Sequence, residues 1–230
     1  MTSGIADRLA AVRRRVDAVA SDCGRDPATI TLISVGKTFP AEVVNEAVTA
    51  GATDLGENRV QEAAAKKPGV SKARWHLIGP LQRNKARAAL EVFDIVHTVD
   101  RFEIADRLQY LLTEHWPERR LDVLLEINVA NEPQKAGALP EEDASELLEH
   151  ALASDRLSVR GLMAIPPWAE DPEASRPWFR KLRELRDRLQ DEKGHPLPEL
   201  SMGMSHDFEI AIAEGATMVR VGTAIFGQRG

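Results

Sequence analysis

Lys37 stands where an apolar run, Thr31 to Val35, gives way to Gly36 and then to Pro40. A primary amine in that place either snorkels to water or attacks a carbonyl and holds it as a Schiff base. Two later stretches suit an anion. SMGMSHD, residues 201–207, sets Gly203 and Ser205 ahead of a helix-forming segment, and VRVGTAIFG, residues 219–227, sets Gly222 and Thr223 directly behind a strand-like run containing Arg220. Glycine lets a backbone N–H approach an oxyanion closely, and hydroxyls add donors. Each loop alone also reads as ordinary turn chemistry. An amine and two anion loops gathered on one surface would take a carbonyl compound that carries a phosphate.

The elements that must gather them alternate. Strand candidates end at Lys37 and recur at Thr53–Leu55, Trp75–Ile78, Asp94–Val99, Leu121–Val129, Val159–Ile165, Glu199–Met204 and Thr217–Val221. Helical patterns lie between them, such as AEVVNEAVTAG behind Pro40 and SRPWFRKLRELRDRLQDEKG before the seventh strand. Strict alternation implies a parallel sheet, and eight repeats in this length predict an α/β fold, a (β/α)8 TIM-type barrel read as a single domain over residues 1–230. An open doubly wound sheet is the alternative, and no G-x-G-x-x-G follows the first strand to support it. Only TAIFGQRG follows the eighth strand, so the eighth helix is predicted to be missing or very short. The extra N-terminal helix, ADRLAAVRRRVDAVAS, is placed over the gap. In such barrels the loops after strands seven and eight are the usual phosphate site, and Lys37 shares their rim.

Composition narrows the function classes. Thirty basic against thirty-six acidic residues give a net charge of −6, which argues against nucleic-acid and anionic-membrane partners. Arg13, Arg14 and Arg15 form the basic cluster of note and are read as a solvated helix face. Cys23, the single cysteine, permits no internal disulfide and is read as structural. No signal peptide or apolar span of membrane length is evident, so a cytoplasmic protein is expected. His76 and His97 fall inside strand patterns and are read as satisfied interior histidines. No Cys/His cluster has metal-ligand spacing, so no metal is expected. Gln82, Arg83, Asn84 and Lys85 are read as a polar rim open to an anion or a partner.

Pyridoxal 5′-phosphate (PLP) is the common cofactor that carries both an aldehyde and a phosphate, with a protein group facing its pyridine nitrogen. Arg220 suits that last role. A permanent cation there keeps the ring nitrogen unprotonated, which predicts feeble carbanion chemistry. A Schiff-base aldolase acting on a sugar phosphate would use the same lysine and loops but leaves Arg220 without a ring to face.

The stretches LISVGKTFP, LGENRVQE, WHLIGPLQRNK, TVDRFEIADRL, INVANEPQKAG, VRGLMAIPP, LSMGMSHDFEIAI and VRVGTAIFGQR occur in order from about residue 30 onward. Together they closely resemble the pyridoxal phosphate homeostasis protein family, single-domain relatives of the alanine racemase barrel. The resemblance implies PLP held as a Schiff base on Lys37, its phosphate on Ser205, Gly222 and Thr223, its ring nitrogen facing Arg220, and Asn58 and Met204 lining the pocket. It implies a monomeric or weakly associating carrier or regulator of the intracellular vitamin B6 pool, without established turnover, with PLP-dependent apo-enzymes as recipients. Two positions depart from the family pattern: Gly36 replaces a serine, and His206 replaces an acidic residue. A racemase-like enzyme is the alternative, and it requires a second acid/base opposite Lys37. The one tyrosine, Tyr110, lies in the helical segment LQYLLTEHW.

Overall fold

Short β-branched runs flanked by amphipathic helices have one way to satisfy every strand edge, which is to close the sheet on itself. The computed structural model, which describes residues 4–132 and 143–228, shows that closure. The strands are β1 (Thr31–Val35), β2 (Asp54–Glu57), β3 (Arg74–Leu77), β4 (Ile95–Val99), β5 (Leu121–Glu126), β6 (Leu157–Met163), β7 (Glu199–Met204) and β8 (Met218–Val221), all parallel and paired in sequence order. β8 returns to β1 with Ile33 opposite Arg220. The barrel is therefore closed, and the open-sheet alternative is excluded.

The helices are α1 (Ile5–Asp22), α2 (Ala41–Thr49), α3 (Val60–Lys66), α4 (Ala86–Val92), α5 (Phe102–His115), α6 (Ala144–Leu152), α7 (Arg176–Lys193), α8 (Phe208–Ala213) and α9 (Thr223–Phe226). The helix that follows β8, α9, has four residues. α1 packs against α2, α8 and α9 and covers the seam. Its arginines tie it down. Arg8 Nε donates to the Ile225 carbonyl at 2.6 Å, and Arg13 donates to the carbonyls of Pro27 and Ile30. Arg15 pairs with Glu209 and lies over the Phe208 ring. The basic cluster is thus only partly a solvated face: Arg14 and Arg15 are exposed, while the half-buried Arg13 anchors the helix.

Several boundaries differ from the sequence reading. β2 runs on to Glu57 because Gly56 and Glu57 pair with His76 and Leu77 of β3, although GEN reads as a turn. β5 stops at Glu126, and Asn128 then closes a turn through side-chain bonds to both backbone groups of Glu132. The loop expected from Ala130 to Pro140 lies outside the described residues from Pro133 onward.

Most of the core lies between barrel and helices. Inside the barrel are two smaller apolar clusters, Ile33, Val35, Ile78 and Met218 on one side and Ile95, Leu124 and Met163 on the other.

β6 contains a bulge, since Val123 pairs with Val159 but Leu124 pairs with Gly161. There β6 approaches β7 so closely that a methyl on Gly161 would lie 1.8 Å from the Glu199 carbonyl oxygen. Gly161→Ala is expected to cost about 3 kcal/mol of stability by urea unfolding, because backbone and not a flexible side chain must yield; an unchanged midpoint would refute the close approach.

Candidate active site

β1 ends in a tight turn. The Phe39 N–H donates to the Gly36 carbonyl at 3.1 Å, and Thr38 adopts φ 71°, a left-handed conformation uncommon for a β-branched residue. That turn sets the half-buried Lys37 on the carboxyl rim of the barrel. Gly36 fits the turn closely. A methyl there would come within 2.7 Å of a Val44 methyl, so this chain's glycine and α2's valine are matched.

Beneath the turn lies a buried ion pair that the sequence reading did not find. Lys66 of α3 donates to Glu57 Oε1 at 2.6 Å and to the Gly36 carbonyl at 2.9 Å. Glu57 Oε2 is buried with no hydrogen-bond partner among the described residues. Burial raises the Glu57 pKa, against the opposing hydrogen bond and charge of Lys66 and the nearby charge of Lys37. The pair fixes the backbone just ahead of Lys37. A carboxylate at a strand end and a lysine nine residues later on the following helix were the available signals.

On the other side of the rim, Ser205 stands just ahead of α8 without capping it. Asp207 holds the N-cap position of α8, and its carboxylate accepts the Met204 N–H at 2.7 Å and the Ser175 hydroxyl at 3.0 Å. The Ser205 hydroxyl instead accepts the Gly222 N–H at 3.1 Å and the Ala224 N–H at 3.5 Å, which joins the loops after β7 and β8. Gly203, at φ 91°, makes this crossing possible, because a methyl there would meet Ala211 Cβ at 2.5 Å.

Lys37, Asn58, Met204, Ser205, Arg220, Gly222 and Thr223 all line one cavity of about 250 Å³. Val35, Ile78, Ile165 and His206 complete its wall, and none of these four was among the predicted site residues. Val35 ends β1, and Ile78 and Ile165 lie one and two residues past β3 and β6, where period-2 alternation marks the barrel interior but not the depth of a pocket. Asn58 is held by close contact with Gly79, where a methyl would lie 2.4 Å from the Asn58 carbonyl oxygen. His206 is exposed. Its Nε2 donates to the Glu170 carbonyl at 3.0 Å and its ring stacks on the exposed Trp168. Larger hollows lie elsewhere. One beside the amino-terminal ends of β1 and β2 has none of these groups, and another is lined by Asn58, Arg59, Gln82 and Lys85 next to the cavity.

Arg220 is buried in the barrel, its Nη1 donating to Ser201 Oγ at 2.6 Å and its Nη2 to the Ala164 carbonyl at 2.9 Å. Burial pushes its pKa down to about 10, opposed by the carboxylates of Glu126 and Asp207. It remains a cation at neutral pH. The donor set therefore fits a phosphorylated aldehyde: an amine, hydroxyls and backbone N–H groups that already converge on an oxygen, and a fixed cation on the cavity wall.

Fold and site define a class, the (β/α)8 barrel with an amine and two donor-bearing loops on its carboxyl rim. Residues 8–230 match the family model for the alanine racemase N-terminal domain. The pyridoxal phosphate homeostasis protein of Pseudomonas aeruginosa is 46% identical over 99% of this chain and 96% of its own, and that of Aquifex aeolicus is 44% identical over 97% of each. PipY of Synechococcus elongatus, solved with PLP bound, is 36% identical and superposes with a TM-score of 0.85 over 97% of this chain and 100% of that one. Alanine racemase from Bacillus anthracis, at 19% identity and a TM-score of 0.68 over 96% of this chain and 56% of that one, shares the fold. The chain belongs to the pyridoxal phosphate homeostasis protein family.

Removing one member of the buried pair leaves an uncompensated charge. Lys66→Met is expected to lower unfolding free energy by about 3–5 kcal/mol, measured by denaturant titration; a loss under 1 kcal/mol would show that Glu57 is neutral or solvated there.

Proposed function

We propose that this protein is a single PLP-binding barrel that carries or regulates the intracellular PLP (vitamin B6) pool without catalytic turnover. The convergence of the amine, both anion loops and Arg220 on one cavity carries this reading. The homeostasis proteins and PipY support it by kinship.

In this reading the Lys37 amine would condense with the aldehyde, releasing water. Ser205, the N–H groups of Gly222 and Ala224, and the Thr223 hydroxyl would hold the phosphate, while Asn58 and Met204 would border the ring. When bound, PLP supplies an electron-withdrawing pyridine. Arg220 limits that effect, because a guanidinium only donates and so leaves the ring nitrogen unprotonated. The aldolase reading gives Arg220 no such role.

A racemase-like enzyme is the second reading. It needs a proton donor and acceptor across the cavity from Lys37. Tyr110 is unsuited to it, being 55% exposed on α5 and stacked with Arg107. His206 is the one imidazole lining the cavity among the described residues, with its Nε2 committed to the Glu170 carbonyl. The carrier reading is favoured on that ground.

The same reading makes the protein a cytoplasmic, monomeric carrier delivering PLP to apo-enzymes; no helix among the described residues is long and apolar enough to cross a membrane. The hollow lined by Gln82 and Lys85 adjoins the cavity through Asn58 and suits contact with a recipient.

The purified protein is expected to show a near-visible PLP band that borohydride fixes onto Lys37, and Lys37→Ala is expected to abolish the fixed label; a label on another lysine would move the site. With D- or L-alanine, the loaded protein is expected to racemise no faster than free PLP. A Lys37-dependent rate would establish the enzyme reading instead.

A further inference from the structure

Five polar side chains form a continuous hydrogen-bonded line through the barrel interior, from the cavity wall to the amino-terminal end of β2. Arg220 Nη1 donates to Ser201 Oγ at 2.6 Å, and Ser201 Oγ lies 2.8 Å from His97 Nδ1. His97 Nε2 is 2.9 Å from His76 Nδ1, and His76 Nε2 is 2.8 Å from Asp54 Oδ1. Ser201 and both histidines are fully buried, and Asp54 and Arg220 are nearly so. β4 and β7 are not neighbours in the sheet, so the His97–Ser201 contact spans the barrel interior.

The chemistry of the two ends fixes the sense of every link. A guanidinium only donates, so Ser201 Oγ accepts from Arg220 and turns its own hydrogen toward His97 Nδ1. His97 then carries its proton on Nε2 and donates to His76 Nδ1. His76 likewise carries its proton on Nε2 and donates to Asp54. Asp54 only accepts, because its carboxyl is ionised. Burial alone would raise it, but hydrogen bonds from His76, Arg74 and Thr53 outweigh that and hold its pKa at about 2. Burial also keeps both histidines neutral. A single imidazole in the other tautomer would set two donors or two acceptors against each other.

We propose that Ser201, His97, His76 and Asp54 are positioning residues for Arg220, a one-directional hydrogen-bond chain that fixes which N–H groups the guanidinium presents to the ring nitrogen of bound PLP. Nη1 is committed to the chain and Nη2 to the Ala164 carbonyl, so the remaining N–H groups are those left for the cavity that Arg220 lines. The inference rests on the PLP reading. It adds that a residue outside the cavity, Asp54, influences the cofactor through the barrel axis.

Two measurements test it. The first is ¹⁵N NMR of histidine-labelled protein without cofactor, where both His76 and His97 are expected as neutral Nε2–H tautomers; an Nδ1–H tautomer at His97 overturns the chain. The second compares wild type, Ser201→Ala and Asp54→Asn by PLP titration, near-visible spectrum and borohydride labelling. Both variants are expected to keep the Lys37 label but to shift the band, with PLP bound about tenfold more weakly by Ser201→Ala, the size expected for a lost hydrogen bond to a charged group. A purely structural role would lower the melting temperature and leave band and affinity unchanged, which overturns the proposal. A wild type that takes no PLP overturns instead the cofactor reading on which the inference stands.

Discussion

The pairing of β1 with β8 is the interaction on which the rest depends. Its register, Ile33 opposite Arg220, sets the two strand ends side by side, so the amine that leaves β1 faces the loop that leaves β8. Nothing local in either segment could do this. The pairing also leaves the barrel with no unsatisfied edge and creates the seam that α1 covers.

A parallel barrel is normally filled by layers of branched aliphatic side chains. Here the interior departs from that pattern, because a polar line separates two small apolar clusters. Burying a cation and a carboxylate costs several kcal/mol each unless every donor and acceptor finds a partner. Each link of the line pairs a donor with an acceptor, the leftover N–H groups of Arg220 excepted, and the cost falls on residues that connect to the cavity. The polar interior is therefore better explained by function than by stability.

Much of this was legible in the sequence. Alternating β-branched and amphipathic segments carry the barrel in their own periodicity, and the limits of β7 could be read without error from ELSMGM. Lys37, Ser205, Arg220 and Thr223 were visible as residues of the right chemistry at strand ends. What escaped were relations between distant segments. The Glu57–Lys66 pair looked like an ordinary charged helix entry, because burial of Glu57 depends on α2 and the β1 turn. Ser205 reads as a cap from its neighbours, yet its hydroxyl answers to the loop after β8, which no local pattern announces. His76 and His97 were rightly placed in the interior, but their partners lie on β2 and β7.

The α1 tether has a consequence for biosynthesis. Arg8 reaches a carbonyl 217 residues further along the chain, and β1 cannot complete its pairing until β8 exists. Contacts of such sequence separation form late, since the entropy of closing the loop precedes any reward. On the ribosome, the half-built sheet must wait with an open edge until its eighth strand emerges. The turn that carries Lys37 and the loops that follow β7 and β8 meet only at that final step, so a nascent chain lacks the assembled cavity until the sheet has closed.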